Sequence, residues 1–275
     1  MPAPNSLDAS YRARAIPAGT ARYWSWLFAA AEASAPLLGI YALAAEWQAL
    51  TDPATEVSVA RLKLAWWQDE MRRLAEGSPV HPVSRYLAAL PRAAMVDWRP
   101  LSGAVTAATL QISGAPLERA ADLQPHAYAL IGAPLVVAAE LAAGCDANGL
   151  RHCCEALAAA DYLSRAVRGY RREARSGRVP FAVAELLAAG IGNDDLAADL
   201  PPAPLLRYLE ELRQRAAEYF AAAARALPTV ERRRNRHLLV LAELEHEALR
   251  GGAQRPTARR RFKDMLLAWN SARRA

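Results

Sequence analysis

From Val57 to Leu74 the apolar residues fall on one stripe. Val57, Ala60, Leu64, Trp67, Met71 and Leu74 stand at i, i+3, i+7, i+10, i+14 and i+17, the period of an α-helix that buries one face. A helix is therefore predicted over about 55–76, stopped by Gly77, Pro79 and Pro82. A second long helix is predicted over about 150–176, with Leu150, Cys153, Leu157, Ala160, Val167 and Ala174 on its buried side and "SGRVP" at its end. Further helices are expected at about 20–50 with a break at Pro36, and at about 102–112, 125–143, 181–189, 203–227, 229–250 and 257–272. No stretch alternates apolar and polar residues as a half-buried strand would. The chain reads as all-α.

With 275 residues, 53% of them hydrophobic and only 14 glycines, the chain can build a substantial core. No linker is long or polar enough to divide it, so residues 1–275 are expected to form a single domain with its core over about 20–270. The N-terminal stretch has no apolar h-region, and apolar runs such as 33–45 fall short of the ~20 residues that span a bilayer. A soluble or peripheral protein is expected, in the cytoplasm or against the inner face of the membrane. Cys145, Cys153 and Cys154 match neither a disulfide framework nor a zinc spacing and read as small core residues in a reducing compartment.

The net charge is +6, carried by arginine clusters at 165–178, 231–237 and 255–264. Such a surface attracts phosphate-bearing partners of several kinds: diphosphates, anionic lipid and nucleic acid. Nucleic acid is not expected, because Glu210, Glu211, Glu218, Glu243, Glu245 and Glu247 interrupt the basic helices and no nucleic-acid motif is present. In 258–269, "ARRRFKDMLLAW" sets basic residues beside Phe262, Leu266, Leu267 and Trp269. That segment either packs as the last helix of the bundle, the favoured reading, or meets an anionic membrane surface peripherally.

Read in order, "RYWSWLFAAAEASAPLLGIYALAAEW", "RLKLAWWQDEMRRLAEGSPVHPVSRYLA" and "ALAAADYLSRAVRGYRREARSGRVPFAVAELLAAGI" resemble the squalene/phytoene synthase family over about residues 20–270. The resemblance implies a single-domain isoprenoid-synthase helical bundle with a central cavity for prenyl chains. In that family two acidic motifs on facing helices hold Mg²⁺, which neutralises the diphosphate leaving group. Here the first motif falls on Gln48, Ala49 and Asp52, and the second on Gly169, Arg172 and Glu173, with Arg165 one turn earlier. One carboxylate of three remains in each. The chain also resembles a divergent branch that includes the phytoene-synthase-like assembly factor of mitochondrial respiratory complex I, which likewise lacks intact acidic motifs. Glu46 and Asp52 match acidic positions which that branch keeps.

Two functional readings follow. In the favoured one the protein is non-catalytic, binds a prenyl diphosphate or other lipid or a protein partner, and needs no cofactor. In the other it is an active prenyltransferase with altered metal use, Mg²⁺ being required if it is active, and Arg165, Arg168 and Arg172 contact the diphosphate directly. Asp52 and Glu173 can bridge one metal ion or pair with Arg165 or Arg172 across the cavity; pairing is favoured, because a charge in a helix-lined cavity needs a partner. Trp66 and Trp67 read as packing residues of which only one can face inward. His126 and Tyr128 fall near the expected cavity, where a lone histidine is more often a core residue than a base.

Overall fold

The computed structural model describes residues 7–143, 147–251 and 258–275, and no strand occurs among them. The first half of the chain forms α1 (Ala9–Ala15), α2 (Ala21–Leu27), α3 (Ala31–Thr51), α4 (Val57–Ala75), α5 (Pro82–Ala88), α6 (Arg99–Ile112), α7 (Leu123–Ala127) and α8 (Ala133–Ala143). The second half forms α9 (Ala147–Arg175), α10 (Val183–Ala188), α11 (Asn193–Ala197), α12 (Ala203–Ala226), α13 (Thr229–Arg232), α14 (Arg236–Gly251) and α15 (Ala258–Arg274). Cys145 lies outside the described residues, as do the side chains of 258–262. Cys153 and Cys154 are buried.

The long helix α9 runs through the middle of the bundle. Consecutive helical residues point about 100° apart, so the burial of Ala158, Ala159 and Ala160 together means that α9 is covered on every side at this level. Helices α12, α14, α7 and α8 pack on it, while α3 packs on α8 and α6, and α4 on α6. The stripe predicted on α4 is buried from Ala60 to Leu74, but Val57, in the first turn, is half exposed. Glu70 shares the buried side. Its carboxylate accepts hydrogen bonds from the backbone N–H groups of Val80 (3.0 Å) and His81 (2.8 Å) and from Arg73 Nε (2.9 Å). A buried charge is tolerable when hydrogen-bonded in this way, and here it fixes the turn between α4 and α5. Gly77 closes α4 at φ 77°, and the next N–H, from Ser78, bonds back to Arg73 O at 2.8 Å.

Several boundaries differ from the sequence reading. The helix expected over 20–50 breaks at 28–30, and Pro36 lies inside α3. The break is stabilised from far along the chain: Arg236 donates to the carbonyls of Phe28 (2.6 Å) and Ala29 (3.2 Å), the acceptors that the end of α2 leaves unpaired. The helix expected over 229–250 is divided into α13 and α14, and the short helices α1, α5 and α11 were not predicted. The helix expected over 125–143 contains a π-helical turn at Tyr128–Gly132. The segment Ala120–Ala142 is long and apolar enough by composition to cross a membrane, yet 56% of its most apolar stretch is buried inside the bundle, where it packs on α9 and α6. Helix α15 packs on α14 and α2 with Ala268 fully buried, which is the packing expected for a last helix. Leu266 and Trp269 stay exposed on its outer side.

Candidate functional site

The C-terminal ends of α3 and α9 are tied together. After α9, Gly177 (φ 78°) reverses the chain and Arg178 N bonds back to Glu173 O at 3.0 Å. This turn returns the Arg178 side chain to the helix end, where Nη1 donates to Thr51 O at 2.9 Å and Nε lies 3.3 Å from Glu173 Oε2. Beside it, Arg172 Nη1 lies 3.5 Å from Asp52 Oδ2.

Between these helices lies an open groove of about 1020 Å³ whose walls include Gln48, Asp52, Arg165, Arg168, Gly169, Arg172 and Glu173. All of these were singled out from the sequence, and the fold gathers them in one place. Ala49 is exposed and does not line the groove, and Glu46 pairs with Arg14 of α1 at 2.8 Å. Next to the groove is a more enclosed cavity of about 130 Å³, bounded by α2, α3, α6, α9 and the π turn. Its walls are mainly apolar, from Ala44, Trp47, Ala108, Leu130, Ile131 and Ala166, and its polar groups include Arg22, Arg165, Gln48 and Gln111. A further chamber of about 120 Å³ adjoins it through shared walls at Gln111, Tyr162, Glu173 and Pro180, and His126 lines that chamber. His126 meets Tyr162 edge to face at 5.5 Å, and burial lowers its pKa.

The π turn shapes the cavity. Leu130 and Ile131 enter its wall from that turn, and π turns commonly occur at functional sites. Gly132 ends the turn where the backbone closes on α9: a Cβ at this position would sit 2.8 Å from Cys154 O and 2.6 Å from Tyr128 Cδ2.

The charges divide into two sets. In the first, Asp52 pairs with Arg172, as favoured from the sequence, whereas Glu173 pairs with Arg178 and not with Arg165 or Arg172. Burial raises the Glu173 pKa, with Arg178 and Arg172 opposing and the Asp52 charge adding to the rise. In the second, Arg165 grips Asp161 through Nε (2.9 Å) and Nη2 (2.6 Å), and Arg168 pairs with Glu245 at 2.9 Å. Burial opposes the Arg165 charge, but Asp161 and Glu245 outweigh it and raise its pKa. Arg22 is close enough to this second set to feel Arg165, Asp161 and Glu245, yet has no hydrogen bond or ion pair among the described residues. Its guanidinium lies over the Tyr41 ring, 5.4 Å from the centroid.

The residues present do not fit a magnesium site. Mg²⁺ takes near-octahedral oxygen coordination, anchored by carboxylates. Among the described residues no group of three or more Asp, Glu, His or Cys side chains could hold an ion. The two carboxylates at motif positions are each engaged by an arginine, and Gly169 presents no side chain although a Cβ there would meet nothing within 4 Å.

Arg22, Tyr41, Asp161 and Glu245 were not predicted as site residues. Asp161 was within reach, because Asp161 and Arg165 have the i, i+4 spacing of a helical ion pair. Arg22 carried no local signal.

The squalene/phytoene synthase family model matches residues 17–263. No curated protein matches the sequence. Among solved structures, a dehydrosqualene synthase in complex with ligand is similar with a TM-score of 0.77 and 14% identity, over 93% of this chain and 92% of that one. The squalene synthase HpnC from Alicyclobacillus acidocaldarius is similar with a TM-score of 0.69 and 18% identity, over 89% of this chain and 95% of that one. At such identities the structures speak for the fold, an all-helical isoprenoid-synthase bundle, while the match over most of the sequence speaks for descent: the chain belongs to the squalene/phytoene synthase family.

Proposed function

We propose that this protein is a non-catalytic member of its family that keeps the apolar cavity and uses it to bind a lipid, in a lipid-binding or assembly role. One observation carries the reading: both carboxylates left at the motif positions are held in ion pairs with Arg172 and Arg178, and no further carboxylate stands at those positions to anchor a metal. Ionising an allylic diphosphate requires strong neutralisation of the leaving group. Without metal ligands that task would fall to arginines: Arg165, Arg168 and Arg172 each already face a carboxylate, and Arg22, which has no ion-pair partner among the described residues, offers a single charge in place of metal ions. The apolar walls from Trp47, Leu130, Ile131 and Ala166 suit part of a hydrocarbon chain, the rest of which would extend into the adjoining chamber or groove.

The test is pyrophosphate release from farnesyl and geranylgeranyl diphosphates with Mg²⁺ or Mn²⁺, beside an active family member. The expected result is no release above background from folded protein. Metal-dependent turnover would show the chain to be a prenyltransferase and end the non-catalytic reading.

A further inference from the structure

We propose that the cavity holds the oxyanion head of a phosphate-bearing, single-chain amphiphile directly between the guanidiniums of Arg22 and Arg165, with no metal ion between protein and ligand. This rests on reading the cavity as a lipid site and adds how the head group is recognised.

The inner cluster is one anion short. Three arginines, Arg22, Arg165 and Arg168, face two carboxylates, Asp161 and Glu245, and each carboxylate is already engaged by one arginine. Arg22 is the cation left over, beside the like charge of Arg165 and enclosed enough that burial pushes its pKa down to about 10. It stays charged at neutral pH, so the enclosed site carries an uncompensated positive charge. Arg22 is partly buried, and a partly desolvated charge beside a like charge gains from an anion placed next to it. The Tyr41 ring gives partial compensation through its face. Arg165 spends Nε and Nη2 on Asp161, and no hydrogen bond among the described residues occupies Nη1. Both arginines line the same cavity, whose remaining wall is mainly apolar. A guanidinium suits a phosphate oxyanion, since it is permanently charged and presents its donors in a fixed plane. An apolar wall with an unpaired cation describes an amphiphile with an anionic head. Glu173 also lines the cavity, but its carboxylate is held by Arg178.

The experiment follows quenching of intrinsic tryptophan fluorescence, to which Trp47 in the cavity wall contributes, with farnesyl diphosphate and uncharged farnesol as probes, in EDTA and in Mg²⁺. Farnesyl diphosphate is expected to bind equally well within about twofold in the two buffers and at least tenfold more tightly than farnesol, in keeping with the ~10-fold per 1.4 kcal/mol scale of a charge-assisted contact. Arg22→Met should weaken farnesyl diphosphate at least about tenfold, leave farnesol unchanged, and melt no lower than wild type without ligand, because it removes a partly buried cation that has no ion-pair partner among the described residues. Arg22→Lys should recover part of the lost affinity. Binding that requires Mg²⁺, or that survives Arg22→Met, overturns the proposal, as does an Arg22→Met variant that melts lower and loses both ligands. If farnesol binds and farnesyl diphosphate binds no better, the head-group site is wrong while the lipid cavity stands. If neither binds wild type, the lipid cavity itself is wrong and this proposal falls with it.

Discussion

The two sets of charges beside the cavity invite comparison. At the ends of α3 and α9, Asp52 and Glu173 stand at the positions that the family resemblance gives to metal ligands, and each is answered by its own arginine, Arg172 and Arg178. Around Arg165 the acids are also answered, but one arginine too many is present, and Arg22 faces the cavity without an anion. A set that is neutral within itself has no electrostatic need of a ligand. A set with a surplus cation gains from one. In the proposed reading the motif positions are closed by their own arginines, and the unmet charge beside the cavity is that of Arg22.

The largest effect expected from breaking this comparison lies at Asp161. Asp161→Asn keeps the shape of a buried residue and removes the charge that Arg165 grips through two nitrogens. Arg165 would then face Arg22 with less compensation, and unfolding by urea should show a loss of about 2–3 kcal/mol, at or below the low end of the scale for a buried ion pair, because Asp161 is buried while the Arg165 side chain is 39% exposed. A loss under 1 kcal/mol would mean that the inner cluster is solvated like the outer one.

His237 sharpens the comparison, because it is fully buried without a partner, whereas Arg22 is only partly buried, and it does not line the cavity. Neither ring nitrogen has a hydrogen-bond partner among the described residues, and burial, with the Arg236 charge adding, lowers its pKa to about 4. The unfolded chain takes up this proton near pH 6.5 and the folded protein only near pH 4, so the folded state gains from the neutral ring above pH 6.5 and loses that advantage as pH falls between these values. The contribution to unfolding free energy should decline by about 3 kcal/mol across that window, and His237→Phe should flatten it. An unpartnered group outside the cavity should thus show up in stability against pH and leave ligand affinity unchanged.

Gly132 tests the cavity wall itself. Gly132→Ala sets a methyl group 2.8 Å from Cys154 O, and the α9 contact must shift, at a cost of about 2 kcal/mol by thermal unfolding. A neutral result would mean that the wall between the π turn and α9 yields readily. The smallest effect belongs to the outer set. Asp52→Asn breaks a partly exposed 3.5 Å pair and should change stability by less than about 0.5 kcal/mol. A larger loss would make that pair a structural element in its own right.

The sequence was most legible where a single helix decides its own burial. The α4 stripe from Ala60 to Leu74 and its glycine stop are local matters of period and capping, and both are present. The break between α2 and α3 was not legible, because what stabilises it is Arg236, more than two hundred residues away, holding the carbonyls of Phe28 and Ala29. The same holds for the site. Resemblance to the family located Gln48, Asp52, Arg165, Gly169, Arg172 and Glu173, which the fold gathers around one groove. The partner of Glu173 was assigned wrongly, because only the turn at Gly177 brings Arg178 back to it. Arg22 was missed, since its part depends on contact with helices that no periodicity on α2 records.

The most direct test of the account is a crystal structure of the protein with a non-hydrolysable thiodiphosphate analogue of farnesyl diphosphate, grown with excess Mg²⁺. The account predicts diphosphate oxygens within hydrogen-bonding distance of Arg22 and Arg165, with Asp52 and Glu173 still paired to Arg172 and Arg178 and no ion between them. Magnesium bridging Asp52 and Glu173 to the diphosphate would contradict it and return the chain to the metal-dependent members of its family.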